Sequence, residues 1–178
     1  SWQAAPGGWC YRTDLAEQYL GVKTPEEMQE KVSDWDKFQA TAKEVYEASG
    51  NKTALTTTLG GIWQAFAANR SQPWVKDDAL VIDDFCNTFI DLAKDMRDNK
   101  YVMDLNQWTD EWKAAGQTDD TMGYFVSTWG FGESILLSAA GGEGGATYGK
   151  WNVCNGPTPY FWGGTWTVSY THLTLPTK

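Results

Sequence analysis

The sequence has little histidine, few basic residues and no long apolar run, and each shortage excludes a class of function. A single histidine excludes zinc sites built from several histidines and leaves little room for serine–histidine catalysis. The 14 basic and 23 acidic side chains give a formal net charge of −9, so no basic stripe can neutralise phosphates or hold an anionic membrane. No apolar run approaches the roughly 20 residues of a transmembrane helix. A nucleic-acid-binding protein and a membrane-spanning protein are therefore not expected.

Cysteine is also scarce, and its spacing matches no common motif. Cys10, Cys86 and Cys154 are odd in number and far apart, and no CxxC pair supports a zinc ribbon or a thioredoxin-type site. From the residues alone, one disulfide with one buried thiol and three buried thiols are equally open. The chain starts at Ser1 without a charged-then-apolar leader, as expected of a processed protein or of a piece of a longer one.

Short strand patterns alternate with helix patterns along the chain. The predicted strands cover 8–12, 53–59, 80–82, 122–126 and 151–154. The predicted helices cover 13–20, 33–49, 62–69, 83–99, 108–115 and 131–140, with one more starting at 24. Two helix starts are explicit: Thr24 with Glu27 forms a capping box, and the segment Ser33-Asp34-Trp35-Asp36 repeats that logic for the next helix. This alternation predicts an α/β lobe with a mainly parallel sheet and no second domain.

Tryptophan is the residue in excess, with 11 copies, more than a small core needs. Trp63 and Trp129 follow predicted strands, and Trp162 lies in an aromatic segment that ends in Gly163-Gly164. Ligands of open α/β sheets bind where strands end, and flat indole rings next to small residues suit sugar rings. Each ring could instead cap the core. The other indoles considered are predicted to pack, namely Trp35, Trp74, Trp108 and Trp112.

The acidic pairs are a weaker signal. Asp119-Asp120 and Asp110-Glu111 could supply the acid and base of a glycosidase, although a solvated face explains adjacent acids at least as well.

The sequence also lacks the residues that metal-binding and nucleotide-binding motifs require. A calcium loop starting at Asp104 would need glycine where Thr109 stands and glutamate where Ala115 stands, so an EF-hand is rejected. No glycine run continues as a nucleotide-binding loop. No metal and no cofactor are expected.

Seven segments, in this order and spacing, resemble the extracellular solute-binding proteins of carbohydrate ABC importers, the family 1 proteins that include maltodextrin-binding proteins. They are Trp9-Cys10-Tyr11-Arg12-Thr13-Asp14-Leu15, Ser33-Asp34-Trp35-Asp36-Lys37-Phe38, Lys52-Thr53-Ala54-Leu55, Ala67-Ala68-Asn69-Arg70, Leu80-Val81-Ile82-Asp83-Asp84, Asp91-Leu92-Ala93-Lys94-Asp95-Met96-Arg97 and Cys154-Asn155-Gly156-Pro157-Thr158-Pro159-Tyr160-Phe161-Trp162-Gly163-Gly164-Thr165-Trp166. In that family two α/β lobes close over a sugar in a hinged cleft and dock on a membrane permease. Residues 1–166 resemble the second lobe with parts of both hinge strands, an incomplete lobe of the type II periplasmic-binding-protein fold.

The resemblance implies a ligand-binding set. Its members are Trp63, Trp129, Trp162, Gly163 and Gly164, with Tyr11 and Arg12 nearer the hinge. The family's Gly-Pro-Trp strand exit reads Ser127-Thr128-Trp129 here, which leaves the local backbone geometry open. Because the hinge strands run side by side in the family, the resemblance also implies a disulfide between Cys10 and Cys154.

The resemblance ends after Trp166. Residues 168–178, which include His172, resemble the translated read-through of a sequencing adapter, so 167–178 are expected to be a non-native tail on a truncated fragment. The implied function is carbohydrate binding as the substrate-binding component of a bacterial ABC-type sugar importer. The expected protein is a monomeric non-enzyme, periplasmic or extracellular, with a lipid anchor left open.

Two other classes remain as alternatives. The first is a fragment of a carbohydrate-active enzyme, a glycoside hydrolase. The second is a carbohydrate-binding module, which the long predicted helix at 83–99 disfavours because such modules are usually β-sandwiches.

Overall fold

The computed structural model describes residues 3–166 and shows a mixed sheet with helices on both faces. The strands are β1 (Gln3–Arg12), β2 (Ala54–Thr56), β3 (Val75–Lys76), β4 (Ala79–Leu80), β5 (Thr121–Ser127), β6 (Trp151–Cys154) and β7 (Phe161–Thr165). The helices are α1 (Thr13–Leu20), α2 (Pro25–Lys31), α3 (Trp35–Ala48), α4 (Leu59–Ala68), α5 (Asp84–Asp98), α6 (Asp110–Ala114) and α7 (Thr128–Gly130), with a 3₁₀ turn (Ala115–Gln117) and a π-helix (Phe131–Ala139). The predicted α/β class is confirmed. The expected tail at 167–178 lies outside the described residues.

The strand directions differ from the prediction of a mainly parallel sheet. The order is β2-β5-β1-β6, with β7 paired to the amino-terminal half of β1. Only β2 and β5 are parallel neighbours, whereas β5, β6 and β7 all pair with β1 in antiparallel fashion. Strands β2, β5 and β6 therefore share one direction, as helical crossovers require, but β1 is inserted among them in the opposite direction. Local alternation along the chain carries no information about that insertion.

The helix starts follow the capping signals closely. The Thr24 hydroxyl accepts from the Glu27 N–H at 3.2 Å, and the Glu27 carboxylate accepts from the Thr24 N–H at 3.2 Å, which completes the capping box. Helix α4 starts earlier than predicted, because Gly60-Gly61 form its first turn rather than a break. A Cβ atom at position 61 would lie 3.1 Å from Cβ of Phe125. Glycine there lets the helix approach the sheet closely.

Strand β1 separates two cores because its side chains alternate between the two sheet faces. Trp9 and Tyr11 belong to the larger core, whereas Cys10 belongs to the smaller core with Trp112 and Tyr124. Both cores hold aromatic side chains, so β1 is buried on both faces and fixes the helices on either side of it.

The implied disulfide between Cys10 and Cys154 is wrong, although β1 and β6 do run side by side. In this pairing Trp9 lies opposite Cys154, and Cys10 lies opposite Val153. A register offset of one residue places Cys10 and Cys154 on opposite faces of the sheet. All three thiols are free and buried, which agrees with the second reading left open by the sequence.

Within residues 3–166, none of the helices combines the length and the apolar character that crossing a membrane requires.

Candidate functional site

Three segments leave the sheet at the same edge. Strands β2 and β5 are parallel, and Val102 forms a parallel bridge to Thr56 of β2, so all three run toward this edge. Trp63, Trp108 and Trp129 each follow one of these segments along the chain. The carboxyl edge of a parallel set is the usual ligand position in α/β folds. The sheet therefore sends three indole-bearing segments to one edge.

Trp108, Trp129 and Trp162 form one group of touching rings, here named the indole cluster. Their ring centroids are 5.5 Å apart for Trp108 and Trp129, 5.7 Å for Trp108 and Trp162, and 5.7 Å for Trp129 and Trp162. The Trp129 Nε1–H donates to the backbone carbonyl oxygen of Trp162 at 2.8 Å. Trp108 and Trp129 keep 43% and 40% of their surface exposed. The cluster therefore presents large aromatic surface to solvent while its members hold one another in place.

Strand β7 brings Trp162 into the cluster. It pairs with Gln3–Pro6 of β1, beyond the point where Gly7 of β1 meets the end of β5. Gly163 and Gly164 have φ values of 86° and 119°, which side chains rarely adopt. A Cβ atom at position 164 would lie 2.9 Å from the carbonyl oxygen of Gln3. Both glycines thus shape the strand beside the cluster, and their contact with a ligand stays a prediction.

Trp63 lies apart from the cluster in its ring contacts. Its neighbours are Phe85 and Phe89, with ring centroids at 5.7 Å and 4.9 Å, and it packs partly buried on the larger core. The structure therefore brings together two of the three predicted indoles. A ligand contact at Trp63 also stays a prediction.

Trp108 is the member that the sequence prediction missed. The prediction placed Trp108 and Trp112 on one packing face of a helix, but α6 begins only at Asp110. Trp108 has a φ of 73° and precedes the N-cap residue Thr109. Its ring lies 5.0 Å from the ring of the buried Trp112, as the packing prediction implies, but 43% of its surface stays exposed. The threonine followed by Asp110-Glu111 is a recognisable helix start and was the available signal.

A cleft of about 300 Å³, here named the indole cleft, opens beside the cluster. It is lined by Trp108, Lys113, Trp129, Glu133, Ser134 and Ser138. Two of these residues supply apolar ring faces, and the other four supply a carboxylate, an ammonium group and two hydroxyls. Such a mixture suits a ligand with an apolar face and a polar rim.

The π-helix supplies most of the polar wall of the indole cleft. It starts directly after the short helix that carries Trp129, and it bears Glu133, Ser134 and Ser138. Helix segments of this kind are rare and are often found at functional sites. The predicted helix over 131–140 is thus present, with a wider winding than expected.

A larger groove of about 460 Å³ runs along the sheet edge near Thr58, Arg97, Lys100 and Asn106. It is lined mainly by polar side chains and contains no indole ring. Because an aromatic face is what a sugar ring needs, the smaller indole cleft is the better candidate. Within residues 3–166, no three histidine, cysteine or acidic side chains are grouped as a metal site would require.

Tyr11 and Arg12 have internal partners instead of a free surface. The Tyr11 ring is buried and stacks on Trp9 at 5.6 Å. The buried Arg12 guanidinium donates from Nε and Nη2 to the Asp14 carboxylate at 2.7 and 2.8 Å, and from Nη2 to Asp119 at 2.9 Å. Neither side chain has surface to offer a ligand, so the implied ligand contacts at these two positions are not supported.

The Asp14 carboxylate is expected to make stability depend on acidity. Burial raises its pKa, but hydrogen bonds and charge from Arg12 outweigh burial and hold the pKa of Asp14 below its usual value. Its stabilising contribution is therefore complete above the unfolded-state pKa of about 3.9 and is lost as the pH falls through the lower native pKa. We expect Asp14→Asn to flatten the acid limb of stability against pH, measured by urea unfolding. The exposed Asp91→Asn is the control, and an unchanged acid limb in Asp14→Asn would contradict this role.

The acidic pair Asp119-Asp120 lies away from the indole cluster. It precedes the first residue of β5, whereas Trp129 follows the last one. A strand of seven residues spans about 23 Å at 3.3 Å per residue. Asp119 is also tied to Arg12, so this pair is not placed to act on a ligand at the cluster.

The fold of this chain is similar to parts of several solved structures. An extracellular solute-binding protein family 1 structure matches with a TM-score of 0.78 at 20% identity, covering 91% of this chain and 41% of that one. The ABC transporter associated binding protein from B. animalis subsp. lactis Bl-04, in complex with β-1,6-galactobiose, matches with a TM-score of 0.68 at 20% identity. The match covers 92% of this chain and 41% of that one. The galacto-N-biose-/lacto-N-biose I-binding protein from Bifidobacterium longum matches with a TM-score of 0.58 at 19% identity. The match covers 89% of this chain and 41% of that one. No protein-family model and no curated protein matches the chain.

The fold therefore matches that of part of the extracellular solute-binding protein family 1 structure, as the resemblance implied. The chain spans about 41% of the length of these structures. At this level of identity the likeness establishes the fold, and the activity has to be argued from the indole cluster.

Proposed function

We propose that the chain is the sugar-contacting second lobe of a solute-binding protein that delivers carbohydrate to an ABC-type importer. The observation that carries this proposal is the indole cluster, in which two rings are about 40% exposed beside a cleft of ring size. The C–H face of a pyranose packs on an aromatic face, and the hydroxyls around its rim take hydrogen bonds from polar neighbours. Binding of this kind is reversible and needs no catalytic group.

The structures that share this fold support the same proposal. Two of them are complexes with β-1,6-galactobiose and lacto-N-biose. In the complete protein, the first lobe would close over the sugar and supply the opposite wall. The lobe described here then contributes one wall, so we expect its affinity alone to be low.

A carbohydrate-active enzyme is the main alternative, and the positions of its candidate carboxylates disfavour it. Asp119-Asp120 lie at the wrong end of β5, as shown above. Asp110, which is near the cluster, has a fully exposed side chain, whereas a carboxyl group that acts as general acid needs a shielded environment. No sugar release from oligosaccharides is expected, and a reducing-end assay that detected release by the purified chain would contradict the proposal.

Replacing Trp129 by alanine is expected to weaken sugar binding by about five- to thirtyfold, because a ring contact contributes on the order of 1–2 kcal/mol. The measurement is intrinsic tryptophan fluorescence during titration with mono- and disaccharides in the millimolar range. Trp74→Ala is the matched control, since Trp74 is 45% exposed and lies next to the β3–β4 hairpin rather than in the cluster.

Two results would count against the indole cluster. If the unaltered chain responds to no saccharide, the proposed function fails. If Trp74→Ala weakens binding as much as Trp129→Ala does, the sugar binds elsewhere.

The partners and the location follow from the same proposal. We propose that the complete protein is a monomer that meets membrane permease subunits, in the periplasm or outside the cell, with or without a lipid anchor. Permease genes next to the coding sequence, with a signal peptide upstream, would support this. A complete gene neighbourhood that lacks permease genes would count against it.

A further inference from the structure

The indole cleft contains two charged side chains of opposite sign that are not paired with each other. Lys113 has a carboxylate partner in Asp110, with Nζ to Oδ1 at 3.7 Å. Within the described part of the chain, the Glu133 carboxylate forms no ion pair, and the Ser138 hydroxyl donates to the Glu133 backbone carbonyl rather than to its side chain. The cleft and its rim thus carry two carboxylates, Glu133 and Asp110, against the one ammonium group of Lys113.

This arrangement has a consequence for the kind of sugar that fits. A free carboxylate accepts strong hydrogen bonds from neighbouring hydroxyls, but it repels a carboxylate or phosphate on the ligand. The net charge of −9 on the chain adds to that repulsion at longer range. The buried Ser134, which also lines the cleft, can donate or accept without favouring a charge.

We propose that the indole cleft selects uncharged saccharides over uronic acids and sugar phosphates, and that Glu133 is the residue that sets this preference. Glu133 accepts hydrogen bonds from sugar hydroxyls, and Lys113 of α6 donates one. This inference rests on the proposed function and adds the substrate class and the polar residues of the site.

A cationic ligand is the competing possibility, because aromatic side chains beside a carboxylate can form a cage around a quaternary ammonium group. The ring centroids of the indole cluster are only 5.5 to 5.7 Å apart. Rings at this distance touch one another, so they leave no cage between them, and the Lys113 ammonium group in the same cleft repels a cation. The uncharged saccharide is therefore the better occupant.

The test compares Glu133→Gln with the unaltered chain, using lactose, glucose and glucuronate as probes and NMR chemical-shift titration as the measurement. The unaltered chain is expected to bind glucose more tightly than glucuronate. Glu133→Gln is expected to weaken the binding of lactose and of glucose by about five- to tenfold, because a charge-assisted hydrogen bond is lost. Glu133→Gln is also expected to reduce the difference in affinity between glucose and glucuronate.

Two controls separate this site from a general effect of charge. Glu143→Gln removes a carboxylate from the exposed loop beyond the π-helix and is expected to leave the affinities for all three probes unchanged. Lys113→Met is expected to weaken all three probes, whereas the exposed Lys43→Met on α3 should not. Circular dichroism of each variant checks that it is folded.

The outcomes distinguish the two proposals. If the unaltered chain binds sugars and Glu133→Gln changes neither affinity nor the preference for glucose, this inference is overturned and the proposed function stands. If the unaltered chain prefers glucuronate, the inference is overturned as well. If no saccharide and no uronate binds at all, both proposals fail together.

Discussion

Trp9→Ala is expected to lower the free energy of unfolding by about 3–5 kcal/mol, the usual cost of deleting a buried aromatic ring. Trp9 is fully buried in the middle of β1, stacks on Tyr11 at 5.6 Å and meets the edge of Phe38 at 5.7 Å. Its Nε1–H has no hydrogen-bond partner within residues 3–166, so the loss comes from packing and from the cavity that remains. The backbone of a central strand cannot collapse into that space.

Urea unfolding followed by circular dichroism measures this effect. Trp74→Ala is again the control, because its half-exposed ring should cost less than about 1 kcal/mol. Similar losses for the two variants would mean that the larger core is not organised around Trp9.

Gly123→Ala is expected to cost about 3 kcal/mol, which is large for the addition of one methyl group. A Cβ atom at position 123 would lie 2.5 Å from the carbonyl oxygen of Cys10 and 2.7 Å from the Trp9 ring. Both β1 and β5 are central strands, held on either side by neighbours, so neither can shift to make room. Strands β1 and β5 would have to separate locally, and this would weaken the pairing that holds the sheet together.

The comparison variant is Gly132→Ala, since a Cβ atom there would meet nothing within 4 Å. That variant is expected to leave stability unchanged or to raise it by about 0.5 kcal/mol, because alanine restricts the unfolded chain. Equal melting temperatures for Gly123→Ala and Gly132→Ala would contradict the close approach of β5 to Trp9.

Local features of the fold were predictable, and long-range pairings were not. The helix after Thr24 forms where its capping box predicted, and the next helix begins inside the predicted segment 33–36, with Asp34 as its cap, because a cap involves residues only three positions apart. The direction of β1 and the pairing of β7 depend on contacts across more than a hundred residues, and no local pattern records them. The absent link between Cys10 and Cys154 has the same origin, since a shift of one register position decides it.

The candidate site divides in the same way. Trp129 and Trp162 were expected at a ligand site, and the structure brings them into contact. Trp108 packs on Trp112 as expected, but its exposed surface was missed because that exposure depends on where α6 begins, two residues later than predicted. Tyr11 was misplaced because alternation along β1 points it into the larger core, which could be known only once the sheet neighbours were known.

The hydrogen bond from Trp129 to strand β7 limits what that ring can sense. The polar hydrogen of the indole already donates to the backbone, so the ring can contact the C–H surface of a ligand but cannot donate a hydrogen bond to the ligand's oxygen atoms. Because the acceptor belongs to the main chain at position 162, the side chain there can drift during evolution without freeing the ring of Trp129. The orientation of Trp129 thus depends on the backbone of β7, which most point mutations leave unchanged.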